Sequence, residues 1–121
     1  MNDMTALIVD DEEDIGLMTK RMLKKKGIET DHVSRIETAG KRIIQNDYDL
    51  FILDLHLPDG SGFDLIPKIK NLDSNAKIII ISAYDGIDEK ARSIEYGISS
   101  FIKKPFKKQD LLEAVENLTN K

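Results

Sequence analysis

The chain has 121 residues, 40% of them hydrophobic and 33% charged, which fits one globular domain and excludes a two-domain enzyme. It contains no cysteine, which excludes a disulfide scaffold, a thiolate metal centre and a cysteine nucleophile. The formal net charge is −4 and no apolar run reaches the length of a membrane span, so we expect an acidic, cytoplasmic domain rather than a general nucleic-acid binder or a membrane protein.

Short runs rich in Ile, Leu and Val recur along the chain and predict β-strands. The strongest runs cover residues 6–9, 50–53 and 78–81, and weaker ones cover 29–33 and 99–102. Continuous apolar runs are typical of parallel strands that are covered on both faces.

A helical pattern follows each predicted strand. Ser34 and Glu37 have capping-box spacing, which predicts that the second helix begins there. Pro67 predicts a short or kinked third helix, and Gly27 and Gly97 suit the ends of the first and fourth. The predicted apolar faces, in chain order, are Ile15, Met18, Met22 and Leu23; Ile36, Ala39, Ile43 and Ile44; Phe63, Ile66 and Ile69; Ile87, Ala91 and Ile94; and Leu111, Leu112, Val115 and Leu118.

The predicted strands start near residues 5, 29, 50, 77 and 99, so each strand–helix unit spans 21–27 residues. A solenoid repeat would also give such a period, but the units share no common signature. Alternation of strands and helices instead predicts an α/β fold with a doubly wound parallel sheet.

Polar residues close four of the predicted strands, and the carboxyl ends of parallel strands are where ligands bind in such folds. They are Asp10, Asp11 and Glu12 after the first strand, Asp54 after the third, Ser82 after the fourth, and Lys103 and Lys104 after the fifth. An Asp after a strand is commonly a helix cap, which stays an alternative for Asp10 or Asp11. Asp54 lies within an apolar segment, where an unpaired carboxylate is costly to bury, so a functional role is favoured.

Clustered carboxylates repel one another and require a cation or a proton. Oxygen ligands without cysteine favour a hard ion, and Mg²⁺ is the abundant choice inside cells. A lysine and a hydroxyl beside them suit a phosphoryl group, and a carboxylate can accept that group as an aspartyl phosphate. The sequence has no glycine-rich P-loop, so we expect a site for one phosphoryl group rather than for ATP.

Five separated motifs together resemble the receiver domain of two-component response regulators, and the resemblance covers the whole chain. The motifs are Leu7-Ile8-Val9-Asp10-Asp11-Glu12, Asp54 with Pro58, Gly62, Ser82-Ala83, and Lys104-Pro105-Phe106. The resemblance implies a flavodoxin-like sheet of five strands in the order 2-1-3-4-5. We therefore expect residues 1–121 to form one receiver domain without an output domain.

The resemblance also implies a role for each site residue. Asp54 would accept a phosphoryl group from a phosphohistidine on a sensor histidine kinase or a histidine phosphotransfer protein. Asp11, Asp54 and the backbone carbonyl of His56 would bind Mg²⁺ directly, and Asp10 would act mainly through water. Such a domain catalyses only its own phosphorylation and dephosphorylation.

Three further residues would complete the site and its switch. Ser82 would bond the phosphoryl oxygen, and Lys104 would form an ion pair with it. Phe101 matches the aromatic switch position and would turn inward as Ser82 moves, although an ordinary core aromatic is the alternative. The Lys104–Pro105 peptide is often cis in such proteins.

Several positions depart from the family pattern or vary within it. Ser61 replaces a common Asp, and Ser99-Ser100 replaces an acidic pair found in regulators that dimerise through their fourth and fifth helices. We expect the Tyr84 ring to hinder the attack of water on the phosphoryl group. His56 is interpreted as an exposed loop residue, and His32 as a polar position on the second strand.

These residues predict a phosphorylation-switched signalling module, with an unidentified downstream protein target and no direct DNA binding. Its signalling surface would be the face formed by the fourth helix, fifth strand and fifth helix, including Lys103, Lys107 and Lys108. We expect a monomer or a weak dimer upon phosphorylation. Two alternatives stay open, namely a Mg²⁺-dependent phosphatase with Asp54 as its nucleophile, and an interaction module that is independent of phosphorylation.

Overall fold

The computed structural model describes residues 4–83, 86–98 and 100–119. Its five strands form one parallel sheet in the order β2-β1-β3-β4-β5, which confirms the predicted topology. The strands are β1 (Met4–Val9), β2 (Ile28–Val33), β3 (Leu50–Asp54), β4 (Lys77–Ser82) and β5 (Ser100–Lys103).

Five α-helices connect or follow these strands. They are α1 (Glu13–Lys25), α2 (Ile36–Gln45), α3 (Ile66–Leu72), α4 (Ile87–Glu95) and α5 (Lys108–Thr119), and a 3-10 turn at Gly62–Leu65 leads into α3. Pro67 lies in the first turn of the short α3, where its missing N–H removes no helical hydrogen bond. No helix within the described ranges is long and apolar enough to cross a bilayer.

The hydrophobic core has two parts, one on each face of the sheet. Alternate side chains of β1, β3 and β4 enter different parts, so these strands are apolar on both faces. One part packs against α2 and α3 and includes Leu7, Val9, Ala39, Ile43, Phe51, Leu53, Ile66, Ile69, Ile78 and Ile80. The other packs against α1 and α5 and includes Ala6, Ile8, Met22, Leu23, Leu50, Ile52, Ile79, Ile81, Leu111 and Val115.

Two of the predicted apolar helix faces are partly wrong. Ile44 is 69% exposed on α2, because it lies about 100° around the helix from the buried Ile43. On α4, Ala91 is exposed and Ile94 is 74% exposed. Among the described side chains of α4, Ser93 is buried, and its hydroxyl donates a hydrogen bond to a backbone carbonyl of the same helix. The Ile87 side chain lies outside the described part of the chain.

The start of α2 also differs from its prediction. The helix begins at Ile36, and the residue before it makes no side-chain capping bond. Asp59, in the loop after β3, accepts hydrogen bonds from the backbone N–H groups of Ile36 (2.7 Å) and Glu37 (3.1 Å). The predicted capping box at Ser34 and Glu37 is therefore wrong, because a carboxylate 23 residues away in sequence caps the helix.

Candidate functional site

Three carboxylates surround the ammonium group of Lys104 at the carboxyl edge of the sheet. Lys104 Nζ lies 2.6 Å from Glu12 Oε1, 2.9 Å from Asp10 Oδ2 and 3.1 Å from Asp54 Oδ2. Asp10, Asp54 and Lys104 are buried, whereas Glu12 is exposed. The site thus joins the ends of three strands through one cation.

The sheet order explains this assembly. β1 and β3 are neighbours with Val9 opposite Leu53, so Asp10 and Asp54 leave the sheet side by side. Lys104 follows β5, and its backbone N–H donates to the Ser82 carbonyl (2.7 Å) at the end of β4. The lysine stem reaches from there toward β3 and β1. The Lys104–Pro105 peptide is cis, as expected.

Hydrogen bonds to its backbone and to one carboxylate oxygen hold Asp10 in place, and its other carboxylate oxygen faces the site. Its backbone N–H donates to the Val33 carbonyl (3.0 Å), and its Oδ1 accepts from the Glu12 N–H (2.8 Å). Its Oδ2 faces Lys104 but has no hydrogen bond among the described residues. Burial raises the pKa of Asp10 and outweighs the opposing effects of the Glu12 N–H and the Lys104 ammonium.

Lys104 responds to burial in the opposite sense. Burial alone would lower the pKa of Lys104, but the close contacts of its ammonium group with the Glu12 and Asp10 carboxylates outweigh it and raise that pKa. The side chain is therefore a permanent cation at neutral pH. A fixed cation beside Asp54 is suited to bind additional anionic oxygens.

A tight loop carries the chain away from Asp54. The His56 N–H donates to Asp54 Oδ1 (3.3 Å), and the His56 side chain is exposed, as interpreted from the sequence. Gly62 packs directly on this aspartate, since a Cβ atom at Gly62 would lie 2.2 Å from the Asp54 carbonyl oxygen. Ser61, the position that departs from the family pattern, forms a reciprocal capping box with Asp64.

The predicted switch residues lie on the two strands beyond β3. Ser82 is fully buried at the end of β4, one residue past the pairing of Asp54 with Ile81. Phe101 is half-buried on β5 and packs against the core part that contains α2 and α3. Tyr84 and Ser99, on which two expectations depend, lie outside the described residues.

The acidic cluster fits a hard divalent cation. One oxygen each from Asp10, Glu12 and Asp54 lies within 4.8 Å of the others. The formal charges of three carboxylates and one ammonium sum to −2, and the buried Asp10 Oδ2, which makes no hydrogen bond among the described residues, is a candidate ligand atom. Asp11, predicted as a direct ligand, is exposed and is not in this described cluster, so its role stays a prediction.

Two residues near the site were not identified as contributors from the sequence. His32 on β2 places Nε2 2.7 Å from the backbone carbonyl oxygen of Asp10. Asp59 caps α2 from the loop after β3. Each acts on a partner more than twenty residues away, so local sequence patterns carry no signal for either contact.

The family profile of the response regulator receiver domain matches residues 6–116. The chain belongs to this family. The match includes every predicted site residue from Asp10 to Lys104, so the receiver domain occupies the same segment as the sheet and the carboxylate cluster.

Curated relatives of this receiver domain are bacterial regulators. The chain is 30% identical over 120 residues to the DNA-binding transcriptional regulator NtrC of Azospirillum brasilense, covering 99% of this chain and 25% of the relative. It is 32% identical to the transcriptional regulatory protein CssR of Bacillus subtilis, covering 94% and 50%. The chain therefore spans a quarter to a half of the length of these relatives.

Solved receiver structures have the same fold. The non-phosphorylated HemR receiver domain of Leptospira biflexa aligns with a TM-score of 0.90 and 31% identity, covering 98% of this chain and 95% of that one. The response regulator TrrA of Thermotoga maritima, solved in complex with Mg²⁺–BeF, aligns with a TM-score of 0.82 and 31% identity, covering 95% and 98%. The similarity extends over nearly the whole domain in both.

Proposed function

We propose that Asp54 of this receiver domain accepts a phosphoryl group from a phosphohistidine on a sensor histidine kinase or a histidine phosphotransfer protein. The observation that carries this proposal is the Lys104 ammonium 3.1 Å from an Asp54 carboxylate that is almost completely buried. This pair lies at the end of β3, with Ser82 at the end of the next strand. The domain catalyses only its own phosphorylation and dephosphorylation.

In the proposed step, a carboxylate oxygen of Asp54 attacks phosphorus as the phosphorus–nitrogen bond breaks. The imidazole leaves with the bonding electron pair and takes up a proton from solvent, so the products are an aspartyl phosphate and a neutral histidine. Lys104 faces the developing charge on the phosphoryl oxygens, and the Ser82 hydroxyl donates to one of them.

Asp10, Asp11, Asp54 and the His56 carbonyl are the proposed ligands of Mg²⁺. When bound, Mg²⁺ supplies positive charge that lowers the repulsion between the carboxylates and the phosphoryl oxygens. The buried Asp10 Oδ2 and the clustering of carboxylates around it support Asp10 and Asp54 as ligands, whereas Asp11 and the His56 carbonyl are proposed from the family resemblance. The Mg²⁺–BeF complex of TrrA supports it by similarity.

Phosphorylation adds charge and acceptor oxygens beside Lys104 and Ser82. We propose that Ser82 moves toward the phosphoryl group, that Phe101 turns inward, and that the face formed by α4, β5 and α5 changes shape. The exposed Ile94 and Lys107 on this face support its use as a binding surface. The signal then passes to a protein target, or the phosphoryl group is passed onward.

Phosphorylation with acetyl phosphate and Mg²⁺ tests the central claim. We expect the intact protein to gain the mass of one phosphoryl group, and the Asp54→Asn variant to gain none. Asp47→Asn, which changes an exposed aspartate away from the site, serves as the matched control and should be modified like the wild type. Modification of Asp54→Asn at the wild-type level, or no modification of the wild type, would contradict the proposal.

A further inference from the structure

We propose that His32 is a positioning residue for the metal site, because it fixes the segment that carries Asp10 and Glu12. This inference rests on the proposed function, since it assigns a role toward the Mg²⁺ that phosphotransfer requires. In this role His32 is not itself a metal ligand. It acts through the backbone of Asp10.

The contact between His32 and Asp10 is short and directional. His32 pairs with Ile8 across β2 and β1, and its Nε2 lies 2.7 Å from the Asp10 carbonyl oxygen. A carbonyl oxygen only accepts hydrogen bonds, so Nε2 must carry the proton and donate. β1 ends at Val9, so the His32 side chain holds Asp10 where the strand pairing with β2 ends.

The first turns of α1 are shaped around the imidazole ring. A Cβ atom at Gly16 would lie 2.4 Å from His32 Cε1 and 2.4 Å from Nδ1, which is closer than any side chain permits. The ring therefore occupies space that only glycine leaves open at this helix position. His32 and Gly16 together fix both the loop before α1 and the approach of α1 to β2.

With this contact, the hydrogen bonds of Asp10 form a nearly complete set. β2 binds its N–H through the Val33 carbonyl and its carbonyl through His32, while its Oδ1 accepts from Glu12. These bonds leave Oδ2 facing Lys104 and the carboxylate cluster. Loss of the His32 donor would remove one of the two hydrogen bonds that join the Asp10 backbone to β2 and require the cation to order the segment on binding.

Substitution of the donor tests the inference through the Mg²⁺ affinity, measured by calorimetric titration of the whole protein with MgCl₂. We expect His32→Leu to weaken binding about tenfold, the lower range for groups that orient metal ligands. His32→Gln keeps an N–H donor at nearly the same reach and should stay close to the wild type. Equal affinities of His32→Leu and the wild type, or equal weakening by Gln and Leu, would overturn the proposal.

Gly16→Ala gives a second test that leaves the histidine in place. The added methyl group displaces the ring from Asp10, so we expect weaker Mg²⁺ binding here as well, with folding checked by urea denaturation in EDTA. Wild-type affinity in Gly16→Ala would contradict the inference even if His32→Leu does not fold. Glu29→Gln, an exposed change near the start of β2, is the control and should bind Mg²⁺ normally.

The outcomes separate this inference from the proposed function. If the wild type binds Mg²⁺ and is phosphorylated on Asp54 while His32→Leu retains full affinity, only the role of His32 fails. If the wild type itself binds no Mg²⁺, the proposed metal site fails, and the role of His32 fails with it.

Discussion

One carboxylate, Asp54, precedes the loop after β3 and another, Asp59, lies within it, and different groups neutralise the two. Before the loop, Asp54 shares the Lys104 ammonium with Asp10 and Glu12. Farther along, Asp59 accepts two backbone N–H groups at the beginning of α2. The first arrangement depends on one side-chain cation that is suited to bind further anionic oxygens, whereas the second depends on the main-chain N–H groups of a helix.

The pKa shifts of the carboxylates differ in direction between these two regions, because the regions differ in solvent access. Burial is the largest influence on Asp10 and raises its pKa despite a nearby cation. Asp59 is exposed, and the backbone N–H of Ile36 is the largest influence and lowers its pKa. The pKa values of these two carboxylates thus shift in opposite directions, according to the burial and the hydrogen bonding of each group.

Removal of the shared cation should have the largest effect. Lys104→Met leaves Asp10 and Asp54 buried without their counterion, so we expect the free energy of unfolding to fall by about 3 kcal/mol in EDTA. Mg²⁺ binds the native carboxylate cluster, which has lost its lysine counterion in this variant. Mg²⁺ should therefore raise the free energy of unfolding more in the variant than in the wild type. Urea unfolding with and without Mg²⁺ measures both effects.

Lys107→Met is the matched control for this substitution, since Lys107 is an exposed lysine of the same segment. We expect its unfolding curve to follow that of the wild type. A similar loss of stability in both variants would show that Lys104 has no special role in balancing the carboxylates.

The glycine that closes the loop should give the next largest effect. Gly62→Ala forces a methyl group onto the Asp54 carbonyl oxygen, and we expect a loss of about 1–3 kcal/mol in the free energy of unfolding. Gly40→Ala is the opposite case, because a Cβ atom there meets only Lys68 Nζ at 3.5 Å. It should stabilise α2 by about 0.5–1 kcal/mol. Equal effects of both substitutions on urea unfolding would contradict the close approach at Asp54.

The helix cap should give the smallest effect, and its pH dependence has a definite sign. The folded pKa of Asp59 lies below the unfolded value of 3.8, so its stabilisation is complete above pH 3.8 and is lost as the pH falls through the folded pKa. Asp59→Ala should therefore melt at a lower temperature than the wild type at pH 7. The difference should shrink below pH 3.8.

Ser34→Ala is the control for the cap, because Ser34 holds the position that the sequence alone assigned to capping. Thermal melting should be unchanged by this substitution at every pH. Destabilisation by Ser34→Ala but not by Asp59→Ala would reinstate the local capping box.

The positions of the strands could be predicted from the apolar runs, and their order from the family resemblance. Predicted starts at residues 5, 29, 50, 77 and 99 compare with observed starts at Met4, Ile28, Leu50, Lys77 and Ser100. Continuous apolar runs identify buried parallel strands because both faces of the sheet are covered. Exposed positions such as Ile94 were mispredicted because helical spacing shows a stripe without showing whether another element covers it.

For the site, residue type and strand position predicted that Asp10, Asp54, Ser82 and Lys104 lie at one edge of the sheet. Their polar side chains follow apolar runs, and parallel strands bring their carboxyl ends to one edge. Sequence alone therefore determined the fold, the family resemblance and the principal polar residues. The α/β class follows from the alternation of strands and helices, whereas the order of the five strands was implied by the family resemblance.

Which atoms meet depends on how separate segments pack together. Three contacts of this kind join residues more than twenty positions apart. They are the shortest contact of Lys104, with Glu12, the contact of His32 with the Asp10 carbonyl, and the contact of Asp59 with the start of α2. Such contacts form only where the packing places both partners within about a few tenths of an ångström of the required positions and where neighbours such as Gly16 leave space. The sequence sets which side chains each segment carries. The packing of separate segments sets the hydrogen-bond partners and the burial of those side chains.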